Sequence, residues 1–168
     1  MSSEFTVHVA KENLKFSAAH FIAYKGFREA LHGHNYQVGV RVEGRLASTG
    51  YVIDFGLIKS LTKEIVDRLD QHTILPASSD CLTIERIAGG KVRVVYENDE
   101  FIFPEADVFL TPIVHSSAEE LARYIFEMLS EALKLRKALG SVTAMEISVA
   151  EGPGQAAIYR REFKTAPG

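Results

Sequence analysis

The chain has 168 residues, 46% of them hydrophobic and 24% charged, with a formal net charge of -3. That length is most simply one domain spanning residues 1–168, and the composition supplies enough apolar side chains for a globular core. The slight acidity excludes nucleic-acid binding through a broad basic surface, and no apolar run approaches the ~20 residues that span a bilayer. The opening MSSEFTVHVA lacks the basic-then-apolar pattern of a signal peptide, and the single cysteine, Cys81, leaves no intrachain disulfide. Both features predict a cytoplasmic protein in which Cys81 is a small buried hydrophobe.

From Phe5 to Ala19 apolar and polar residues alternate, which predicts one long strand or a bent pair. After the loop FIAYKGFREA comes a second strand, HGHNYQVGVRVEG. His32, His34, Tyr36, Val38, Val40 and Val42 share one of its faces, and Asn35, Gln37, Arg41 and Glu43 share the other. A helix follows GYVIDF, with Leu57, Ile58, Leu61, Ile65, Val66 and Leu69 on one stripe. KVRVVYENDEFIF then predicts a hairpin turning at Asn98-Asp99. HSSAEELARY opens a second helix: Ser117 and Glu120 have capping-box spacing, and Leu121, Ile125, Met128, Leu129, Ala132 and Leu133 form its apolar stripe. Two further strands, VTAMEISVAE and AAIYRREF, are joined by GPGQ. This order predicts an α+β domain with both helices on one sheet face. The other face is left for a further subunit, so an oligomer is expected.

The chemistry begins at EALHGHNY. On a strand, residues i and i+2 point to the same side, so His32 and His34 can aim two imidazole nitrogens at one ion. Gly33 between them leaves the opposite side open to a backbone or a ligand. A catalytic zinc site takes three protein ligands and keeps one position open. His20, at the end of FSAAH, is the best third candidate. Antiparallel pairing of the first two strands would set the end of one beside the start of the other. On these residues alone two readings stand: a three-histidine metal site, or hydrogen-bonded histidines at a strand end.

FSAAH, LHGHNY, GYVIDF, LDQH, the SSAEELA helix start and VAEGPGQAAIY occur here in order across nearly the whole chain. In this the sequence resembles the 6-pyruvoyltetrahydropterin synthase family, which includes the 6-carboxytetrahydropterin synthases. The resemblance implies the tunnelling fold, a four-stranded antiparallel sheet with two helices, here with an inserted hairpin. It implies trimeric barrels stacked as hexamers, with active sites at subunit interfaces. It makes His20, His32 and His34 the ligands of Zn2+ and Glu151 the pterin anchor. A carboxylate suits that role because it accepts both parallel N–H donors of the pterin's pyrimidine edge. Glu151 follows Met145, Ile147 and Val149 on one strand face, which turns it inward. Ser117 and Glu119 match the family's pterin-contacting positions, although helix capping alone would also explain Ser117.

The sequence departs from the familiar members at three places. They carry a catalytic cysteine shortly before HGH; here YKGFREALHGH has none, and the nearest proton acceptor is Glu29. A glutamate within FRE-x-LHGHNY is similar to the branch often called type III. That branch cleaves the C1′–C2′ bond of 7,8-dihydroneopterin triphosphate to give 6-hydroxymethyl-7,8-dihydropterin. The implied function is therefore a zinc-dependent lyase of folate biosynthesis with Glu29 as general base. Second, the family's adjacent Asp-His pair is interrupted as Asp70, Gln71, His72; the expectation is that Asp70 orients the His72 imidazole in a proton relay. Third, Gly152 replaces a threonine common after the anchor glutamate. Lys25 and Arg28 are candidate triphosphate contacts. Two alternatives remain: 6-pyruvoyl- or 6-carboxytetrahydropterin synthesis by triphosphate elimination, and a pterin- and zinc-binding module without turnover.

Overall fold

In the computed structural model, which describes residues 3–163, the alternating first segment is one strand, β1 (Phe5–His20). Its inward residues change parity, from Val9 to Leu14, Phe16, Ala18 and His20. The cause is an irregular stretch between Ala10 and Lys15 that shifts the register against the next long strand. Five residues of β1 there span two of β4, and an odd surplus swaps the faces of everything after it, which turns His20 toward the interior. A small hairpin follows, β2 (Ala23–Tyr24) and β3 (Phe27–Arg28), turning at Gly26 with φ +83°. Then come β4 (His32–Gly44), α1 (Phe55–Leu69) and β5 (His72–Pro76). The insertion contains β6 (Thr83–Ile87), β7 (Lys91–Tyr96) and β8 (Asp99–Pro104). After a 3-10 turn come β9 (Val108–Thr111), α2 (Ala118–Leu135), β10 (Val142–Gly152) and β11 (Gln155–Glu162).

The main sheet has the order β11-β10-β4-β1-β5-β9. Its first four strands are the expected antiparallel set. Two short strands, β5 and β9, extend the β1 edge in parallel. The expected hairpin is the second half of a three-stranded antiparallel sheet. β6 joins β7 through Gly89 and Gly90, both at positive φ, a turn that only glycine makes without strain. The second turn falls on Glu97-Asn98, one residue before the predicted place, because Tyr96 and Asp99 are already paired across the strands.

Each helix has a side-chain N-cap. Asp54 accepts from the Leu57 amide at 2.7 Å, and Ser117 from the Glu120 amide at 3.3 Å. The Glu120 carboxylate does not close the capping box; it accepts from the Val114 amide at 3.2 Å instead. α1 buries Ile58, Leu61, Ile65, Val66 and Leu69, and α2 buries Leu121, Ile125, Phe126, Leu129 and Leu133, in one core against the sheet. Phe126 is fully buried, edge-on to Tyr159 at 5.0 Å and under the Arg161 guanidinium at 4.6 Å. Phe126→Ala is expected to cost about 3–5 kcal/mol, read as a lower urea midpoint at unchanged slope. An unchanged midpoint would show that this contact is not part of the cooperative core.

A second small core lies under the inserted sheet, formed by Phe21, Ala23, Leu75, Val92, Val94 and Tyr96. The uncovered face of the main sheet is polar, with Arg160 bridging Glu43 at 2.9 Å and Glu162 at 3.1 Å. Among the described residues no helix is long and apolar enough to cross a membrane.

Candidate functional site

β1 and β4 pair so that His20 stands opposite His32 and Ala18 opposite His34. Alternation along β4 then stacks His32, His34 and Tyr36 on the face that receives His20. The three imidazole rings meet with centroids 4.6, 5.3 and 4.9 Å apart for the pairs 20–32, 20–34 and 32–34. One nitrogen from each lies within 4.8 Å of the other two, close enough to hold a metal ion.

Backbone carbonyls fix which nitrogen two of the three histidines offer. His20 Nδ1–H donates to the Ser116 carbonyl at 2.6 Å, leaving Nε2 as the free acceptor. His32 Nδ1–H donates likewise to the Ala30 carbonyl at 2.8 Å. His20 Nε2 is buried and has no hydrogen-bond partner among the described residues, which suits a ligand atom and is otherwise costly. Burial pushes the His20 pKa down, aided by His32 and His34 and opposed by the Ser116 carbonyl and Glu151. The net direction favours the neutral imidazole that ligation requires.

Glu151, at the inward end of β10, sets its Oε1 3.9 Å from His20 Nε2. Beside it a cleft of about 370 Å³ is lined by Ser117, Glu119, Glu151, Gln155 and Ile22. The structure thus brings the expected anchor and both helix-start residues into one cavity next to the histidines. Ser117 also caps α2, so its hydroxyl serves the helix while facing the cleft.

Glu29 is half-buried just before β4, and its Oε2 accepts from the Ile22 amide at 2.9 Å. Tyr36, fully buried, lies edge-on to His20 and His34 at 5.9 and 5.5 Å. Its hydroxyl has no hydrogen-bond partner among the described residues. Burial first, then the Glu151 and Glu29 carboxylates, push its pKa well above the phenol range. A neutral phenol therefore sits near both acids. Sequence reasoning placed Tyr36 on the histidine face but gave it no role, and it missed Ser116 entirely. The HxHxY alternation carries the first signal; nothing local carries the second.

The relay pair departs from expectation. The Asp70 carboxylate does not orient His72; Oδ1 accepts from the Ser17 amide at 2.7 Å. That amide lies on the β1 edge just before its pairing with β5 begins at Ala18, where the carboxylate serves as its acceptor. His72 Nδ1–H donates instead to the Asp70 backbone carbonyl at 2.6 Å. Gln71 absorbs the extra residue in a left-handed turn, φ 61°, and its amide donates to Ser17 O at 2.7 Å. His72 lines another cleft, about 490 Å³, together with His34, Ser17, Asn35, Gln71 and Asp107. Arg28 is paired with Asp99, which lies 2.7 Å from its guanidinium. Lys25 stays exposed at the hairpin tip.

Known proteins share this fold and much of this sequence. Residues 8–162 match the family model described as 6-pyruvoyl tetrahydropterin synthase. A protein of Methanocaldococcus jannaschii, named as a candidate 6-carboxy-5,6,7,8-tetrahydropterin synthase, is 36% identical over 149 residues, covering 88% of this chain and 90% of that one. The crystal structure of 6-pyruvoyl tetrahydropterin synthase from Plasmodium vivax is similar at 40% identity and a TM-score of 0.90, covering 96% of this chain and 100% of that one. Two variants of the Plasmodium vivax protein are described as catalytic-residue mutants, a glutamate replaced by alanine or by cysteine. A dihydroneopterin monophosphate aldolase of Pyrococcus furiosus is 40% identical over 73 residues, covering 44% of this chain and 61% of that one.

Proposed function

This chain belongs to the 6-pyruvoyl tetrahydropterin synthase family, and within that family we propose that it is a zinc-dependent lyase. Its substrate is 7,8-dihydroneopterin triphosphate and its product 6-hydroxymethyl-7,8-dihydropterin, a folate precursor. The observation that carries this reading is Glu29. It replaces the family's cysteine, and a backbone amide at 2.9 Å holds its carboxylate. The catalytic glutamate named for the Plasmodium vivax protein and the aldolase from Pyrococcus furiosus support it.

A zinc ion held by His20, His32 and His34 would supply Lewis acidity to the substrate's side-chain hydroxyls. The chain's own groups do the rest. Glu151 accepts the two N–H donors of the pterin edge, with Ser117 and Glu119 beside it in the cleft. Glu29 removes the proton of the C2′ hydroxyl. The freed electron pair forms the C2′ carbonyl, and the C1′–C2′ bond breaks. Its electrons pass into the conjugated C=N of the dihydropterin, and C1′ then takes back a proton. The triphosphate departs still esterified to the two-carbon aldehyde.

The open polar sheet face and the His72 cleft fit a homo-oligomer, a hexamer as dimer of trimers, in which His72 and Asp70 serve a neighbouring copy's site. A cytoplasmic location completes the proposal. Glu151→Gln removes one of the two acceptors and is expected to weaken pterin binding roughly 10- to 100-fold, from the 1.5–3 kcal/mol typical of hydrogen bonds to charged groups. A fluorescence titration with neopterin checks this, and unchanged affinity would dismiss Glu151 as anchor.

The second reading, 6-carboxytetrahydropterin synthesis by triphosphate elimination, is favoured by the Methanocaldococcus jannaschii relative. Glu29→Cys separates the two. If the base selects the branch, that variant gains pyruvoyl or carboxy product at the expense of hydroxymethyl product, read by mass. An unchanged product ratio would detach the branch point from Glu29.

A further inference from the structure

The loop bearing Glu29 is held mainly by residues distant in sequence. The Phe21 carbonyl accepts from Ser116 Oγ at 2.8 Å, the Ala23 carbonyl from His115 Nδ1–H at 3.1 Å, and the Tyr24 carbonyl from the Tyr96 hydroxyl at 3.0 Å. Inside the loop, the Glu29 amide donates to Ile22 O at 2.9 Å while the Glu29 carboxylate accepts from Ile22 N–H. Backbone position at 22 and 29 therefore sets where that carboxylate points.

Arg28 connects this loop to the inserted sheet. Its Nε and Nη2 donate to one Asp99 oxygen at 3.0 and 2.7 Å, and its Nη1 donates to the Glu29 carbonyl at 2.7 Å. The guanidinium lies over the Phe101 ring, 5.0 Å from its centroid, and Phe101 stacks on Phe21 at 5.1 Å. Asp99 opens β8, and Phe101 is two residues further along it. A planar fork with charge on every arm can hold two acceptors and one ring face at once; an ammonium cannot.

We propose that the inserted sheet β6–β8 is a positioning element for the base, acting through the Asp99–Arg28–Glu29 chain of hydrogen bonds. In this proposal Arg28 and Asp99 are positioning residues, acting on the Glu29 backbone rather than on the reacting atoms. This rests on Glu29 being the base of the proposed reaction. The Asp99 side chain is 54% exposed, so the ion pair adds little to global stability, and its loss moves the loop more than the fold.

The test compares the full chain with its Asp99→Ala and Asp99→Glu variants. It reads amide hydrogen exchange over residues 21–31, zinc content, melting temperature and steady-state kinetics on dihydroneopterin triphosphate. Asp99→Ala is expected to speed exchange at Ile22 and Glu29 and to lower kcat roughly 10- to 100-fold, with KM within about twofold. Zinc content and melting temperature stay at the parent values, and Asp99→Glu restores most of the lost kcat. Unchanged exchange, or faster exchange with unchanged kcat, would overturn the proposal. A parent protein that makes only pyruvoyl or carboxy product overturns the reading of the reaction alone, since exchange and kcat for that product still judge the clamp. A chain inert toward every pterin overturns both.

Discussion

Glu29→Gln is expected to lower kcat on dihydroneopterin triphosphate by roughly 100- to 10,000-fold, the range for loss of a positioned general base. The amide keeps the shape of the carboxylate and an oxygen for the Ile22 amide at 2.9 Å, so the loop stays in place. What it loses is the ability to take the proton of the C2′ hydroxyl. Zinc content and pterin affinity should therefore match the parent, and the defect should appear in kcat with little change in KM. Single-turnover measurements at saturating substrate check this. A variant retaining more than a tenth of the parent rate would remove Glu29 from the proton transfer.

His20→Ala is expected to have the next largest effect, taking bound zinc from about one ion per chain to almost none and activity with it. His20 is 1% exposed and contributes the buried nitrogen of the three-histidine cluster. His32 and His34 alone leave the ion two ligands short of tetrahedral. The substitution also strips the Ser116 carbonyl of its donor at 2.6 Å, which adds about 1–3 kcal/mol of instability in the metal-free protein. Metal analysis after dialysis, paired with thermal melting, separates the two consequences. Zinc that stays stoichiometric in His20→Ala would show that the ion is held elsewhere.

Much of this site can be read in the sequence because strand geometry is periodic. His32, His34 and Tyr36 recur every second residue, so their shared face follows from HGHNY itself. His20 joins them through antiparallel pairing, and the structure sets it opposite His32. The helices were legible for the same kind of reason, since their apolar stripes match the buried faces of α1 and α2. The parallel strands β5 and β9 were not, because TILP and VFLT are too short to carry a period. The third strand of the insertion has a signal in the sequence, Gly89-Gly90, where the chain turns at positive φ.

The relay geometry was hidden for a different reason. Whether Asp70 reaches His72 depends on which unpaired amide lies closer, and that amide belongs to Ser17, 53 residues away. The same holds for Arg28, which local sequence offers as a phosphate contact. Its partner Asp99 lies 71 residues on, and only packing of the insertion against Phe21 brings it there.

The most direct measurement of the central claim is the fate of the phosphate. Purified protein with zinc is incubated with 7,8-dihydroneopterin triphosphate and followed by phosphorus NMR alongside mass analysis of the pterin. Cleavage of C1′–C2′ with Glu29 as base predicts a triphosphate ester of a two-carbon aldehyde, formed in equal amount with 6-hydroxymethyl-7,8-dihydropterin. Free inorganic triphosphate, formed in step with a pyruvoyl or carboxy pterin, would contradict it.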